Sequence, residues 1–187
     1  MGRNPTMTKK VLVISASLRG KSNSDRLADA FIEGAKTAGH EVEKVNLKGK
    51  KINFCLGCLA CYKTKTGHCV QKDDADDITQ KFRDADVICL ATPIYYYNIS
   101  GQLKVMLDRV NPLLVLGNRP WDIYLLTTAE EKKAYTDARA VTTIDGWSSC
   151  FPNAAFKEKL FAGGFTDPGA IEGSAYLEAA KKLGAHA

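Results

Sequence analysis

Val11-Leu12-Val13-Ile14-Ser15-Ala16-Ser17-Leu18-Arg19-Gly20-Lys21-Ser22-Asn23-Ser24 decides how this chain reads. Its first four residues are apolar without alternation, as in a central parallel strand covered on both faces. The strand runs into a polar loop that holds four serines, Asn23, Arg19 and Lys21. Asn23 to Ala38 then reads as a helix, with Leu27, Phe31, Ala35 and Ala38 on one stripe and Gly39 ending it. A phosphate in such a loop would meet free helix N–H groups, the positive end of the helix dipole, hydroxyl donors and a guanidinium. The dinucleotide pattern G-x-G-x-x-G is absent. Gly20-Lys21-Ser22 approaches the end of a Walker A motif, but Ser15 stands where its first glycine should be. The second and third strands also lack a terminal acidic residue for Mg²⁺, which argues against a nucleotide hydrolase. Helix capping accounts for one of Ser22 or Ser24. It does not account for the whole loop.

The rest of the chain alternates strand and helix signals. Val42 to Leu47 is a polar strand that suits a sheet edge, and Asp73-Asp74 opens a helix over Ala75 to Arg83. Val87 to Ala91 is a third strand, again apolar on both faces. Leu103, Met106, Leu107 and Val110 form a clean helical stripe. Ile123 to Leu126 is a fourth strand, Glu130 to Ser149 a helix, and a fifth strand lies between Ala154 and Phe161. Tyr176 to Leu183 closes as a helix. The expectation is an α/β doubly wound parallel sheet of five strands with helices on both faces, binding ligands at the strands' carboxyl ends.

The 187 residues are 45% hydrophobic and 25% charged, which excludes disordered and fibrous classes. No apolar run approaches the roughly 20 residues of a membrane helix. The net charge of +5 is scattered apart from Lys48 to Lys51, so no nucleic-acid surface is visible, and the excess suits a small anionic ligand. The residues before Val11 are polar, so no secretory signal is read and a reducing, cytoplasmic location is expected. Met1 to Thr6 fits a myristoylation pattern, yet residues 1–8 read better as an extension, disordered or expression-derived. Residues 9–187 read as one domain with a Cys-rich insertion at 53–72.

Four of the six cysteines crowd into that insertion as C-x₂-C-x₂-C-x₇-C: Cys55, Cys58, Cys61 and Cys69. In a reducing compartment such a group reads as metal-binding or redox-active rather than as a disulfide framework. Short spacing lets one loop wrap an iron–sulfur cube. A four-cysteine zinc site uses the same residues, and free or paired thiols are the third reading. The stretch is turn-rich, with no regular structure expected. His68 reads as solvated, Cys89 as core, and Cys150 has no evident partner.

Thr92 to Lys104 follows the third strand and contains three consecutive tyrosines. Aromatic rings and free amides there would line a flat heteroaromatic ring, or form a subunit contact. The Ser-x-Ser-x-Arg-x-x-Ser-Asn-Ser loop and the Gln-Leu-Lys-x-x-Leu-Asp-Arg helix, Gln102 to Arg109, together resemble the NADPH-dependent FMN reductase family. The resemblance implies a flavodoxin-like sheet of strand order 2-1-3-4-5 and bound FMN. It places Ser15, Ser17, Arg19, Ser22, Asn23 and Ser24 at the phosphate. Pro93, Ile94, Tyr95, Tyr96, Tyr97, Asn98 and Ser100 would border the isoalloxazine and ribityl chain, with Thr127 and Thr128 in a third loop.

The cysteine spacing resembles that of the iron–sulfur flavoproteins of the same family, which implies a [4Fe–4S] cluster on Cys55, Cys58, Cys61 and Cys69. NAD(P)H would donate hydride, and no catalytic acid–base dyad is required. The acceptor would be a small molecule, such as a quinone, or a redox protein such as ferredoxin. A non-enzymatic electron carrier and a thiol-based redox sensor are the alternatives. The resemblance further implies a homodimer or homotetramer, with Val110 to Leu116 as a candidate interface.

Overall fold

β1 (Lys10–Ser15) is buried along all but its first residue, because strands pair with both of its edges and apolar cores cover both of its faces. It pairs in parallel with β2 (Glu41–Asn46), where Val11 meets Val42, and with β3 (Val87–Tyr95), where Val11 meets Val87. Beyond β3 lie β5 (Asp122–Ala129) and β6 (Ala155–Gly163), also parallel. Between them in sequence, β4 (Asn98–Ile99) folds back antiparallel on the end of β3. The parallel strands therefore run β2-β1-β3-β5-β6, the predicted five-strand order with one two-residue strand added. The computed structural model describes residues 7–117 and 120–187; most of the expected 1–8 extension, residues 1–6, lies outside them.

Alternation of side chains along the buried strands makes two cores. Val11, Val13, Val87, Cys89, Ala91, Tyr124 and Leu126 meet α1 (Asn23–Thr37) and α6 (Ala175–Ala185). Leu12, Ile14, Ile88, Leu90, Ile123 and Leu125 face α3 (Asp74–Asp84), α4 (Gly101–Arg109) and α5 (Ala138–Ser148). Burial pushes the Cys89 thiol well up from its ordinary value, in keeping with a core role. α1 and α6 pack so closely that neither Gly34 nor Gly184 has room for a Cβ: one there would lie 1.8 Å from the Lys181 carbonyl oxygen or 2.0 Å from that of Phe31. Among the described residues no helix is long and apolar enough to cross a membrane.

The structure differs from the sequence expectations at element ends. β3 runs on to Tyr95 because β5 keeps pairing it through Thr92 and Pro93, and β4 then pairs Ile94 with Ile99 and Tyr95 with Asn98. Pro93, Ile94, Tyr95, Thr127 and Thr128 are thus strand residues, not loop residues. The helix expected from Glu130 starts only at Ala138, since the Glu131 carboxylate accepts the Lys132 and Lys133 N–H groups and turns the chain there. The cysteine stretch does contain one short helix, α2 (Ala60–Thr64), bounded by left-handed Leu59 and Lys65. After α4 comes a 3-10 turn, Asn111–Leu116, whose Pro112 and Leu113 are buried in the chain's own core while Leu116 stays exposed.

Candidate functional site

Parallel strands deliver their loops to one rim, and four segments meet there. Ser22 caps α1 by accepting the Asp25 N–H, and its hydroxyl shares a hydrogen bond with Ser24. Arg19 crosses to the far side of the rim, where its Nη1 donates to the Thr166 carbonyl at 3.1 Å. Asn23 reaches the same segment: its Nδ2 donates to the Asp167 carbonyl at 2.9 Å, and its Oδ1 accepts the Ile171 N–H at 3.2 Å. Gln102 at the start of α4 donates to the Ala16 carbonyl at 2.6 Å and ties that helix to the end of β1.

These ties enclose a cleft of about 200 Å³. Ser17, Arg19, Ser22 and Asn23 form one wall; Pro93, Ile94 and Tyr95 of β3 form the second; Thr128, Ala129 and Glu130 form the third. Phe165, Thr166 and Pro168, from the loop after β6, close it. Ile94, Ala129 and Glu130 also border a wider cleft of about 550 Å³, which Tyr96 and Tyr97 line. Tyr96 and Tyr97 have φ of 49° and 63°, so two bulky residues occupy the left-handed region at a hairpin tip. Asn-Gly is the usual choice there, and each tyrosine costs about 1 kcal/mol. Tyr97 stacks on Tyr135 at 6.2 Å between ring centroids, with the Arg139 guanidinium 5.7 Å from its ring centroid. Tyr96 is wholly exposed.

Eight of the expected binding residues thus line the first cleft, and two more, Tyr96 and Tyr97, join Ile94 at the second. Five others brace the walls instead. Ser15 donates to Asp25 at 2.6 Å, Ser24 is buried against Ser22, and Thr127 donates to the Leu160 carbonyl. Ser100 is buried against Thr92, and Asn98 accepts from Ile99 N–H and from Thr143. Sequence reasoning missed Phe165, Thr166 and Pro168. The signal was present, since Gly163-Gly164-Phe165-Thr166-Asp167-Pro168-Gly169 is a turn-rich run after a strand and so belongs on the same rim.

The first cleft suits a phosphate-bearing ligand. Free N–H groups at the start of α1 and the Ser17 and Ser22 hydroxyls supply donors. Arg19 bonds only to a neutral carbonyl, with no carboxylate partner among the described residues, so its charge is available to an anion.

The cysteine stretch leaves the same rim after β2. Cys55 and Cys58 are exposed, Cys61 and Cys69 half-buried, and all are free. Burial, then the neighbouring Cys69 and Cys55 charges, raise the Cys61 thiol, while backbone hydrogen bonds oppose them. Among the described residues no three cysteine, histidine or carboxylate groups converge as a finished metal site. Thiol loops are commonly drawn together by the group they bind. In donor chemistry, four soft thiols on one loop fit an iron–sulfur cluster. A buried donor without an acceptor, Arg109 Nε, adds to that fit at the loop's base. Gly67 (φ 80°) lets the loop pass under Leu116, where a Cβ would lie 2.4 Å from Cδ1.

Comparisons with known proteins bear on both features. An iron–sulfur flavoprotein of Archaeoglobus fulgidus is 39% identical over 111 residues, 59% of this chain and 48% of that protein. One from Methanocaldococcus jannaschii is 37% identical over 106 residues, 57% of this chain and 54% of its own. The matched part of the chain thus spans about half the length of these curated relatives. Among solved structures, an azoreductase from Bacillus anthracis superposes with a TM-score of 0.74 at 21% identity, covering 96% of this chain and 100% of that one. An NAD(P)H:quinone oxidoreductase from Methanothermobacter marburgensis gives 0.68 at 18% identity, covering 96% of each. These structural likenesses establish the flavodoxin-like fold. The profile of one family matches residues 9–126, a span that carries the β1–α1 loop, the cysteine stretch and the β3 wall, and by that match the chain belongs to the NADPH-dependent FMN reductase family.

Proposed function

We propose that the chain is an FMN-dependent NAD(P)H oxidoreductase whose Cys55, Cys58, Cys61 and Cys69 hold a [4Fe–4S] cluster. The observation that carries the flavin reading is the rim cleft itself, where Arg19, with no carboxylate partner among the described residues, and the start of α1 stand opposite the β3 wall. Ser17, Arg19 and Ser22 would hold the phosphate, and Asn23 keeps the 165–171 segment closed over it. Pro93, Ile94, Tyr95 and Thr128 would border the ring, and Tyr96 and Tyr97 its open side. Bound FMN would supply two-electron hydride acceptance with one-electron release, and a cluster would supply one-electron steps. The chain's part is to position, to neutralise the phosphate and to keep the ring edge accessible.

Exposed apolar residues flank Cys55 in the sequence, Phe54 at 74% and Leu56 at 71% exposure. An exposed apolar surface beside the cysteines would favour docking of a redox protein such as ferredoxin. Small acceptors would reach the flavin from the tyrosine side. Residues 9–187 act as one domain in this reading, in the cytoplasm and as a homodimer or homotetramer.

Anaerobic purification, a visible spectrum and the FMN, iron, sulfide and zinc content per chain test the proposal. Flavin with about four irons and four sulfides is expected. Flavin without iron would remove the cluster and leave the oxidoreductase. Failure to bind added FMN would overturn the whole reading. Arg19→Ala should weaken FMN binding by about thirty-fold, a charged hydrogen bond of about 2 kcal/mol, and leave riboflavin binding unchanged.

A further inference from the structure

Arg109, the last residue of α4, is 1% exposed, as few arginines are. It forks onto Asp73, with Nη1 2.6 Å from Oδ2 and Nη2 2.9 Å from Oδ1. Nη1 also donates to the Asn53 carbonyl at 2.8 Å. Asp73 in turn accepts the Asn53 N–H at 2.8 Å and caps α3 through the Ala75 N–H. One ion pair thus knots the two ends of the cysteine stretch to the end of α4. Just inside the knot, Asp76 accepts the Cys69 N–H at 2.7 Å and pairs with His68 at 2.8 Å. Gln80 donates to the Gly67 carbonyl at 2.9 Å. The backbone of Cys69 is therefore fixed, while Cys55 and Cys58 stand out on the exposed part of the loop.

Cys69 leaves the same knot: its N–H is held by Asp76, one turn along α3 from Asp73, and beside Asp73 its thiol helps to keep the guanidinium charged against burial. Its Nε is nevertheless buried without an acceptor. Buried donors are nearly always paired, so this one calls for an acceptor that the described residues do not supply. A thiolate or cluster sulfur at Cys69 would be a suitable acceptor.

We propose that Arg109 is the positioning residue of the cysteine centre: with Asp73 it fixes where Cys69 stands, and its free Nε–H donates to the Cys69 sulfur in the loaded protein. The proposal rests on the cluster reading above. Hydrogen bonds to cluster sulfurs stabilise the more negative, reduced state and raise the reduction potential. The Arg109–Asp73 pair is neutral overall, so the two partners act on that potential with opposite signs.

The test uses the purified holoprotein, with iron content, the cluster's midpoint potential and the rate of iron loss to a chelator as readouts. Arg109→Lys keeps the charge but loses the fork and Nε. It is expected to hold its iron, to show a lower potential and to lose iron about ten-fold faster. Asp73→Asn leaves the guanidinium charge uncompensated and is expected to raise the potential. A merely structural tie would lower the stability of both variants and leave both potentials where they were, which would overturn the proposal. If Arg109→Lys does not fold, the Asp73→Asn potential decides alone, and an unchanged or lower value refutes. Wild-type protein without iron would instead overturn the cluster reading, and this proposal with it.

Discussion

Gly34→Ala tests the packing that holds the rim together. In an exposed helix interior the change is stabilising by about 1 kcal/mol, through backbone entropy. At Gly34 the added Cβ would lie 1.8 Å from the Lys181 carbonyl oxygen and 3.0 Å from the Ala185 nitrogen, both backbone atoms of α6. Real Cβ atoms essentially never approach within 3.0 Å, so α6 has to retreat by about 1.2 Å. That gap opens the contact among Leu27, Phe31, Ala180 and Leu183, where a shift near 1 Å forfeits up to about half of each dispersion well. Overpacking of this kind costs about 3 kcal/mol, for a net loss of about 2. In a domain of this size the melting temperature should fall by about 4–8 °C. Gly146→Ala is the matched control, since it lies exposed within α5 with nothing within 4 Å of its Cβ position. There the propensity term acts alone and the melting temperature should rise by about 2–4 °C. Circular dichroism melts of the three proteins suffice. A Gly34→Ala melting temperature at or above wild type would refute the close-contact argument.

Asn23→Ala removes two of the three ties to the 165–171 segment described above, leaving that of Arg19, and strips the Ile171 N–H of its acceptor, a loss of about 1–3 kcal/mol. FMN binding, followed by quenching of flavin fluorescence, should weaken about ten-fold, and unchanged affinity would show that the segment needs no latch. Acid stability probes Asp73. Burial raises its carboxyl, but hydrogen bonds from Arg109, Asn53 and Ala75 and the Arg109 charge outweigh it, so the net position is below the ordinary 3.8. A lowered native value stabilises the protein above that pH and is lost as pH falls further. The urea-melt stability gap between wild type and Asp73→Asn should be full at about pH 5 and shrink towards about pH 2.5, and a gap that stays constant counts against the ion pair.

The parallel character of the sheet was legible because buried central strands need unbroken apolar runs, as in Val11 to Ile14 and Val87 to Ala91; the strand order came from the family resemblance. The β1–α1 loop was legible because hydroxyls, Arg19 and a helix start are contiguous in sequence. Element ends were less so: β3 and β5 lengthen one another by pairing, which neither strand's own residues encode. The roles inside the loop were also hidden. Ser15 and Ser24 look like Ser17 and Ser22 in sequence, and only their neighbours Asp25 and Ser22 turn them away from the cleft.

By itself, the sequence determined the α/β alternation, the family loop and the spacing of four thiols, all of which depend on residues close together in the chain. Tertiary structure alone decided what lies across the rim. Asn23 meets Ile171, 148 residues later, and Arg109 meets Asp73, 36 residues before it. Such pairs leave no periodicity, since each partner is an ordinary polar side chain or backbone N–H until folding removes water from both and makes the contact between them obligatory.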